Sequence, residues 1–263
     1  MPEEENDQPP SHRLPALAGW FPTGAPGPSA LTEHALTTRA GHWWVDRVIQ
    51  PRVIAAECGH HVLLRGDPQA LTPKDLARFG DRRIEAPGRF LPLIRTSFDD
   101  VSPRQRMVHV RRSGASATRP PRGVTVRRLN AGDARALSTL PPAMSWIHRT
   151  WGGPDALARS GYAWAAFHGN RIVAVACTYF LGTAYEDIAC VTVPDPRIQY
   201  LALDCVNALS SDITTRGHTP SWTCSTGNRP GRLLAWTAGF RPKVEYTHYV
   251  VGAPAARERL AAG

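Results

Sequence analysis

Two acids, Glu186 and Asp187, stand side by side at the head of an apolar, β-rich run of Ile188, Ala189, Cys190, Val191, Thr192 and Val193. A carboxylate part-buried beside Tyr185 has its pKa raised, which suits it to accept a proton near neutrality. Period-two alternation sends the two acids to opposite faces of a strand, so at most one serves a given site. Either also fits as an ordinary polar residue at a sheet's open end. The run breaks at Pro194-Asp195-Pro196 and restarts with helical spacing at Leu201, Val206 and Leu209. Strand, loop and helix in that order offer unpaired helix N–H groups to an anion. A second cluster sets His148 and Arg149 between Trp146 and Trp151. It suits a polar pocket in which Arg149 binds a carboxylate, or a stacked Arg/Trp surface element.

Other side chains narrow the chemistry. Five cysteines, with no CxxC or Cys/His zinc spacing, point to a reduced, cytoplasmic protein without a metal. Cys177 and Cys190 read as small core residues; a nucleophilic thiol would be sought at Cys190 or Cys224. A metal site from His42, His60 and His61 has only residue type in its favour. The net charge is +9, which favours anionic partners such as phosphates or an acidic protein. Much of it lies between Arg104 and Arg128, where eight arginines occur without an acid. With Ser113-Gly114-Ala115-Ser116 and Pro120-Pro121 inside it, this stretch reads as a solvated basic linker or a binding patch. The arginines are not interleaved with aromatics, so no nucleic-acid module is expected. No apolar run is long enough to span a membrane. MPEEENDQPP lacks the form of a signal peptide and reads as a disordered tail.

The elements that must hold these residues follow in order. Ser29 precedes a short helix to about Arg39. His42–Val45 begins a strand. Val53–Glu57 and His61–Arg65 form a hairpin about Cys58-Gly59-His60. Thr72 and Pro73 start a helix to Phe79, Arg89–Ser97 is another, and Met107–Val110 is a strand. A strand Val124–Arg128 leads to a helix capped by Asn130, with Asp133 suiting its dipole. Ser145–Trp151 is a short helix ended by Gly152-Gly153-Pro154. Strands Tyr162–Phe167 and Ile172–Phe180 turn at His168-Gly169-Asn170. The helix after the proline loop stops at Arg216-Gly217. Trp222-Thr223-Cys224 is a strand, Asn228 opens a helix, and Val244–Val251 closes the sheet.

From Gly123 to Gly252 this arrangement resembles the GNAT acyltransferases. The hairpin, the Tyr185-Glu186-Asp187 strand, the loop and helix, and Asn228 leading to Ala238-Gly239-Phe240 carry the likeness. HWWVDR, PRVIAAECG, LLRGDP and WIHRTWGGP are similar to the leader and core of one bacterial subgroup. The resemblance implies an α/β (α+β) fold: a mixed, mostly antiparallel sheet flanked by helices, with a smaller N-terminal α+β domain. The expected boundaries are a tail 1–12, an N-terminal domain 13–112, a basic linker 113–123, the GNAT-like domain 124–252 and a tail 253–263. The N-terminal domain would pack on one edge of the core and shape the acceptor pocket.

The resemblance also implies roles. Glu186 is the expected base, with Asp187, Trp146, His148 and Arg149 binding the acceptor. Cys190, Val191, Thr192, Arg197, Gln199, Ala202 and Asn228 would hold acetyl-CoA or another acyl-CoA; Asn228 is equally a helix N-cap. The family's tyrosine acid would fall at Ala235, which leaves Tyr249, or Tyr246, to replace it. The family's phosphate loop departs here: Tyr200 stands where the first glycine belongs, and Pro194 and Pro196 have no N–H to give. Either other amides hold the pyrophosphate, or acyl-CoA is not gripped in the family manner. The expected function is N-acyl transfer to a small amine in specialised metabolism or resistance. The alternatives are an enzyme using a carrier-protein donor or a different reaction, and a non-catalytic ligand-binding protein.

Overall fold

The computed structural model describes residues 14–114, 121–193 and 201–253. Pro194, Arg197, Gln199 and Tyr200 lie outside the described residues, as do both expected tails except 253, and 115–120 of the expected linker. In chain order the elements are α1 (Leu14–Ala18), α2 (Ala30–Thr38), β1 (His42–Val45), β2 (Val53–Cys58), β3 (His61–Gly66), α3 (Pro73–Leu76), β4 (Arg83–Glu85), α4 (Leu91–Ser97), β5 (Val101–Arg111) and β6 (Val124–Arg128). There follow α5 (Ala134–Ser138), a 3-10 run Pro142–Trp151, α6 (Pro154–Ser160), β7 (Ala163–His168), β8 (Arg171–Leu181), β9 (Tyr185–Thr192), α7 (Leu201–Thr215), β10 (Thr219–Ser225), α8 (Arg229–Thr237) and β11 (Phe240–Val251).

The described chain forms two compact units that are not consecutive stretches. The first holds residues 14–21, 42–105 and 247–253; the second holds 22–41 and 106–246. The consecutive domains expected with the resemblance differ from the observed units at three places. Segment 22–41 packs with the later residues, β5 divides at 105, and the end of β11 returns to the first unit. The physical reason is strand length: β5 and β11, at 11 and 12 residues, each contribute to both units.

In the first unit β1, β2 and β3 are antiparallel, β4 joins β3 in parallel, and β11 pairs β4 at Tyr249↔Ile84. Trp44, Val53, Ala55, Val62 and Leu64 share one buried cluster with Leu76, Phe79, Phe90 and Ile94. The Thr72–Asp75 capping box starts α3 and Pro73 fits its first turn. β4 was too short to leave a sequence pattern.

In the second unit the order is β5-β10-β9-β8-β7-β6. All neighbours are antiparallel except β9 and β10. On one face α7 buries Leu201, Cys205, Val206, Leu209 and Ile213 against Ala174, Ala176, Ile188 and Trp222. The helical spacing of these α7 residues is what the sequence displays. The opposite face meets α2 and the Pro142–Trp151 run. There Trp146 lies edge-on to Tyr179 at 5.6 Å, and Trp151 Nε1 donates to Thr178 O at 2.7 Å. Gly27, with φ +83°, approaches so closely that a Cβ would fall 2.7 Å from Val108 Cγ2.

Helix α6 was not expected, because Gly152-Gly153-Pro154 reads as a stop. Gly152, with φ 84°, does end the 3-10 run, but Pro154 then occupies the first turn of a new helix. The mixed, mostly antiparallel sheet flanked by helices agrees with expectation.

Candidate functional site

The parallel pair β9–β10 is the place where the sheet opens. Tyr185–Ile188 pair with Thr219–Trp222 and the pairing goes no further. Both strands continue, β9 to Thr192 and β10 to Ser225. β9 keeps its other neighbour, since Ala189, Cys190, Val191 and Thr192 pair with Cys177, Ala176, Val175 and Ala174 of β8. Val193 N donates to Val173 O at 2.9 Å, which fixes the alternation. By that alternation Val191 turns its N–H and C=O toward β8, and Cys190 and Thr192 turn theirs toward the side that β10 has left. An unpaired strand edge between two splayed strands is a template for an extended ligand carrying amide groups.

Glu186 and Asp187 sit one turn of the alternation before this opening, and their surroundings differ. Glu186, with no exposure, lies on the α7 face. Arg216 Nε donates to its Oε1 at 3.0 Å and Nη2 to its Oε2 at 2.7 Å. His218 Nδ1 reaches Oε1 at 2.9 Å, and Thr178 Oγ1 donates to Oε2 at 2.5 Å. Arg216 itself is held by Asp212 at 2.6 Å and stacks on Tyr162, 4.7 Å from the ring centre. Each carboxylate oxygen thus has two polar partners among the described residues. Glu186, the expected base, thus ties the residues just past α7 to the sheet.

Asp187 lies on the other face and is 5% exposed. Its Oδ1 accepts from Thr223 Oγ1 at 2.9 Å and Ser221 Oγ at 3.1 Å. Burial pushes its pKa up to about 6, against the pull of those hydroxyls and of the Arg106 charge. Ser221 and Thr223 flank Trp222 at period two, so both hydroxyls follow from one strand. That alternation is the signal by which they could have been found in the sequence. Arg106, on β5, donates Nη2 to Thr223 O at 3.2 Å. It was counted only as one of the cationic run.

The remaining candidates separate. Trp146 packs on Tyr179, on the face of Asp187. His148 is partly buried, and burial and then Arg149 lower its pKa. Arg149 is exposed and lies 3.4 Å from Ser145 Oγ. Ala202 stands in the first turn of α7, half-buried. Asn228 caps α8, its Oδ1 accepting from Gly231 N at 3.0 Å. Tyr249, expected as an acid, belongs to the first unit's hydrophobic core, 8% exposed, opposite Ile84. Burial raises the pKa of the Cys190 thiol to about 12 and that of Cys224 above the usual thiol range, so neither is a ready thiolate. A cleft lined by Thr125, Arg127, Asp133, Phe167 and Asn170 has its cation engaged, because Arg127 is paired on both nitrogens by Asp133.

A second buried network ties α2 to this face. Leu181 N–H donates to His34 Nδ1 at 3.1 Å, so the proton is on Nε2, which donates to Thr150 O at 2.8 Å. Burial lowers the His34 pKa to about 4. Glu33 accepts from Gly24 N at 2.6 Å and from Thr183 N and Oγ1. These bonds hold the lead-in 22–38 against the β8–β9 turn.

Comparison with known proteins bears on this geometry. The family model for GNAT acetyltransferases matches residues 25–249. The chain belongs to the GNAT acetyltransferase family. It is an acyltransferase, and family members generally take the acyl group from acyl-CoA. A Streptomyces virginiae N-acetyltransferase in the mutA 5′ region is 52% identical over 210 residues, 80% of this chain and 89% of that one. A GCN5-related N-acetyltransferase-like protein from Streptococcus suis has the same fold, with TM-score 0.70 at 16% identity over 92% of this chain and 99% of that one. A tandem GNAT protein from the clavulanic acid biosynthesis pathway gives TM-score 0.55 at 15% identity, over 95% and 94%. In this GNAT chain no described helix is long and apolar enough to cross a membrane.

Proposed function

We propose that the protein transfers an acyl group from the pantetheine thioester of an acyl-CoA to the amine of a small molecule, with Asp187 as base. The observation that carries this is the splay: past Ile188 the β10-side edge of β9 is unpaired among the described residues, and a buried carboxylate lies one residue before it. The backbone of Cys190 and Thr192 supports a pantetheine arm by adding its amides to that edge. A backbone N–H at the same edge donates to the thioester oxygen as it gains charge. The carboxylate of Asp187 takes one proton from the substrate ammonium, freeing the lone pair. The C–N bond then forms, the C–S bond breaks, and the second amine proton leaves with the thiolate. Ser221 and Thr223 keep Asp187 oriented throughout. Trp146, His148 and Arg149 remain candidates for the acceptor side, and Ala202 and Asn228 for the donor side.

A fold neighbour from a clavulanic acid pathway is a precedent for the fold in specialised metabolism, where we place this reaction. The test is thiol release from acetyl-CoA with a panel of small amines. Release that depends on an amine supports the reading; none with any amine or acyl chain opposes it.

A second donor is favoured by one surface. On α8, Leu233 and Trp236 are 64% and 57% exposed, three residues apart on one helix face. Arg241 covers Trp236 at 3.8 Å from a ring centre. Residues 213–244 contain no acid, while Arg229 and Arg232 join Arg241 in carrying positive charge. That combination suits an acidic acyl carrier protein presenting its own pantetheine arm.

A further inference from the structure

We propose that the acceptor carries a carboxylate beside its amine, held by Arg106, so that the substrate is a small amino acid or a metabolite with an amino-acid head. The inference rests on the acyl-transfer reading above and names its acceptor class. Arg106 and Asp187 converge on one residue: Arg106 Nη2 donates to Thr223 O, and Thr223 Oγ1 donates to Asp187. The two charged groups do not pair with each other, and Arg106 makes no ion pair among the described residues. Its Nε is buried and has no hydrogen-bond partner among the described residues. A half-buried guanidinium with unspent donors is costly. Arginines elsewhere in this unit are treated otherwise: Arg216, Arg127 and Arg128 each meet a carboxylate.

The arrangement matches a zwitterion. Asp187 faces the ammonium that must lose a proton, and Arg106 offers donors to a carboxylate a few bonds away. Both side chains come from the face opposite α7, Arg106 in the same alternation as Val108, which meets Gly27 on that side. An amine without the carboxylate leaves the guanidinium unsatisfied, and this is the situation in which polar sites discriminate most strongly.

The experiment compares the twenty common amino acids with their decarboxylated amines, in two readouts on the full chain. In thiol release with acetyl-CoA, at least one amino acid exceeds its amine by about 10- to 100-fold in kcat/KM. Arg106→Gln shrinks that ratio to within about threefold, chiefly through KM, and Arg106→Lys restores part of it. In thermal shift without acetyl-CoA, the same amino acid raises the melting temperature of the wild type and not of Arg106→Gln. Equal use of acid and amine, or an Arg106→Gln loss shared equally by both, overturns the acceptor class and leaves acyl transfer standing. Absence of turnover with every acceptor counts against the acyl-transfer reading. Absence of any zwitterion-specific thermal shift overturns the Arg106 site whatever the turnover.

Discussion

Glu186 and Asp187 are neighbours in sequence and lie on opposite faces of β9, one bonded to Arg216, His218 and Thr178, the other, among the described residues, to two hydroxyls. On the proposed reading one strand carries an anchor and a base, and adjacent substitutions have opposite consequences.

Asp187→Asn removes the base, and thiol release falls about a hundred- to ten-thousand-fold. The wild-type rate falls as pH drops through about 6, where Asp187 becomes protonated. The variant loses that limb. The same substitution stabilises the fold. A carboxyl shifted from 3.8 to about 6 by burial costs roughly 3 kcal/mol at neutral pH, at about 1.4 kcal/mol per tenfold in proton affinity. Urea denaturation at pH 7.5 should show the gain.

Glu186→Gln leaves Arg216 without its buried partner and costs about 2–4 kcal/mol, less than a wholly buried pair because Arg216 is 24% exposed. The folded fraction keeps its turnover within a few-fold. Melting temperature and active-site-normalised rate separate the two effects; a full loss of rate with unchanged stability would return the base role to Glu186.

His34 and Asp187 set opposing pH dependences. The folded pKa of His34 is depressed to about 4, so between pH 6.5 and 4 the unfolded chain binds the proton and stability falls with pH. Asp187 is raised to about 6, so between pH 6 and 3.8 the folded chain binds the proton and stability rises as pH falls. These two contributions nearly cancel between pH 4 and 6. In Asp187→Asn the opposing Asp187 contribution is gone, and the His34 contribution falls by roughly 3 kcal/mol from pH 6.5 to 4. Unfolding free energies at half-unit pH steps check the slope.

Cys190→Ala leaves turnover within about twofold, because the thiol side chain is held protonated and its neighbourly role belongs to the backbone. Insensitivity of the wild type to iodoacetamide during the assay is the companion result.

Trp236→Ala and Arg241→Glu weaken transfer from an acyl carrier protein by about tenfold or more and spare transfer from acetyl-CoA. Equal effects on both donors would remove α8 as a carrier surface.

The sheet was legible where local pattern decides it. The β7–β8 hairpin shows its Gly169-Asn170 turn, and α7 shows its apolar stripe. The site was legible only in part. Alternation separates Glu186 from Asp187, but which face α7 covers is decided by Arg216 and His218, thirty residues on. Arg106 gave no signal because its partner residue, Thr223, lies on a strand 117 positions away. The surroundings of Tyr249 were not legible because β11 contributes to both units and Tyr249 enters the core of the first.

The central claim is that the open edge of β9 receives the donor's amide arm. Residue-resolved amide exchange, with and without acetyl-CoA, reads it directly and needs no acceptor. Acetyl-CoA should slow the Cys190 and Thr192 amides by at least about tenfold, while Val191, already bonded across to β8, changes little. Unchanged exchange at Cys190 and Thr192 under saturating acetyl-CoA would contradict the account.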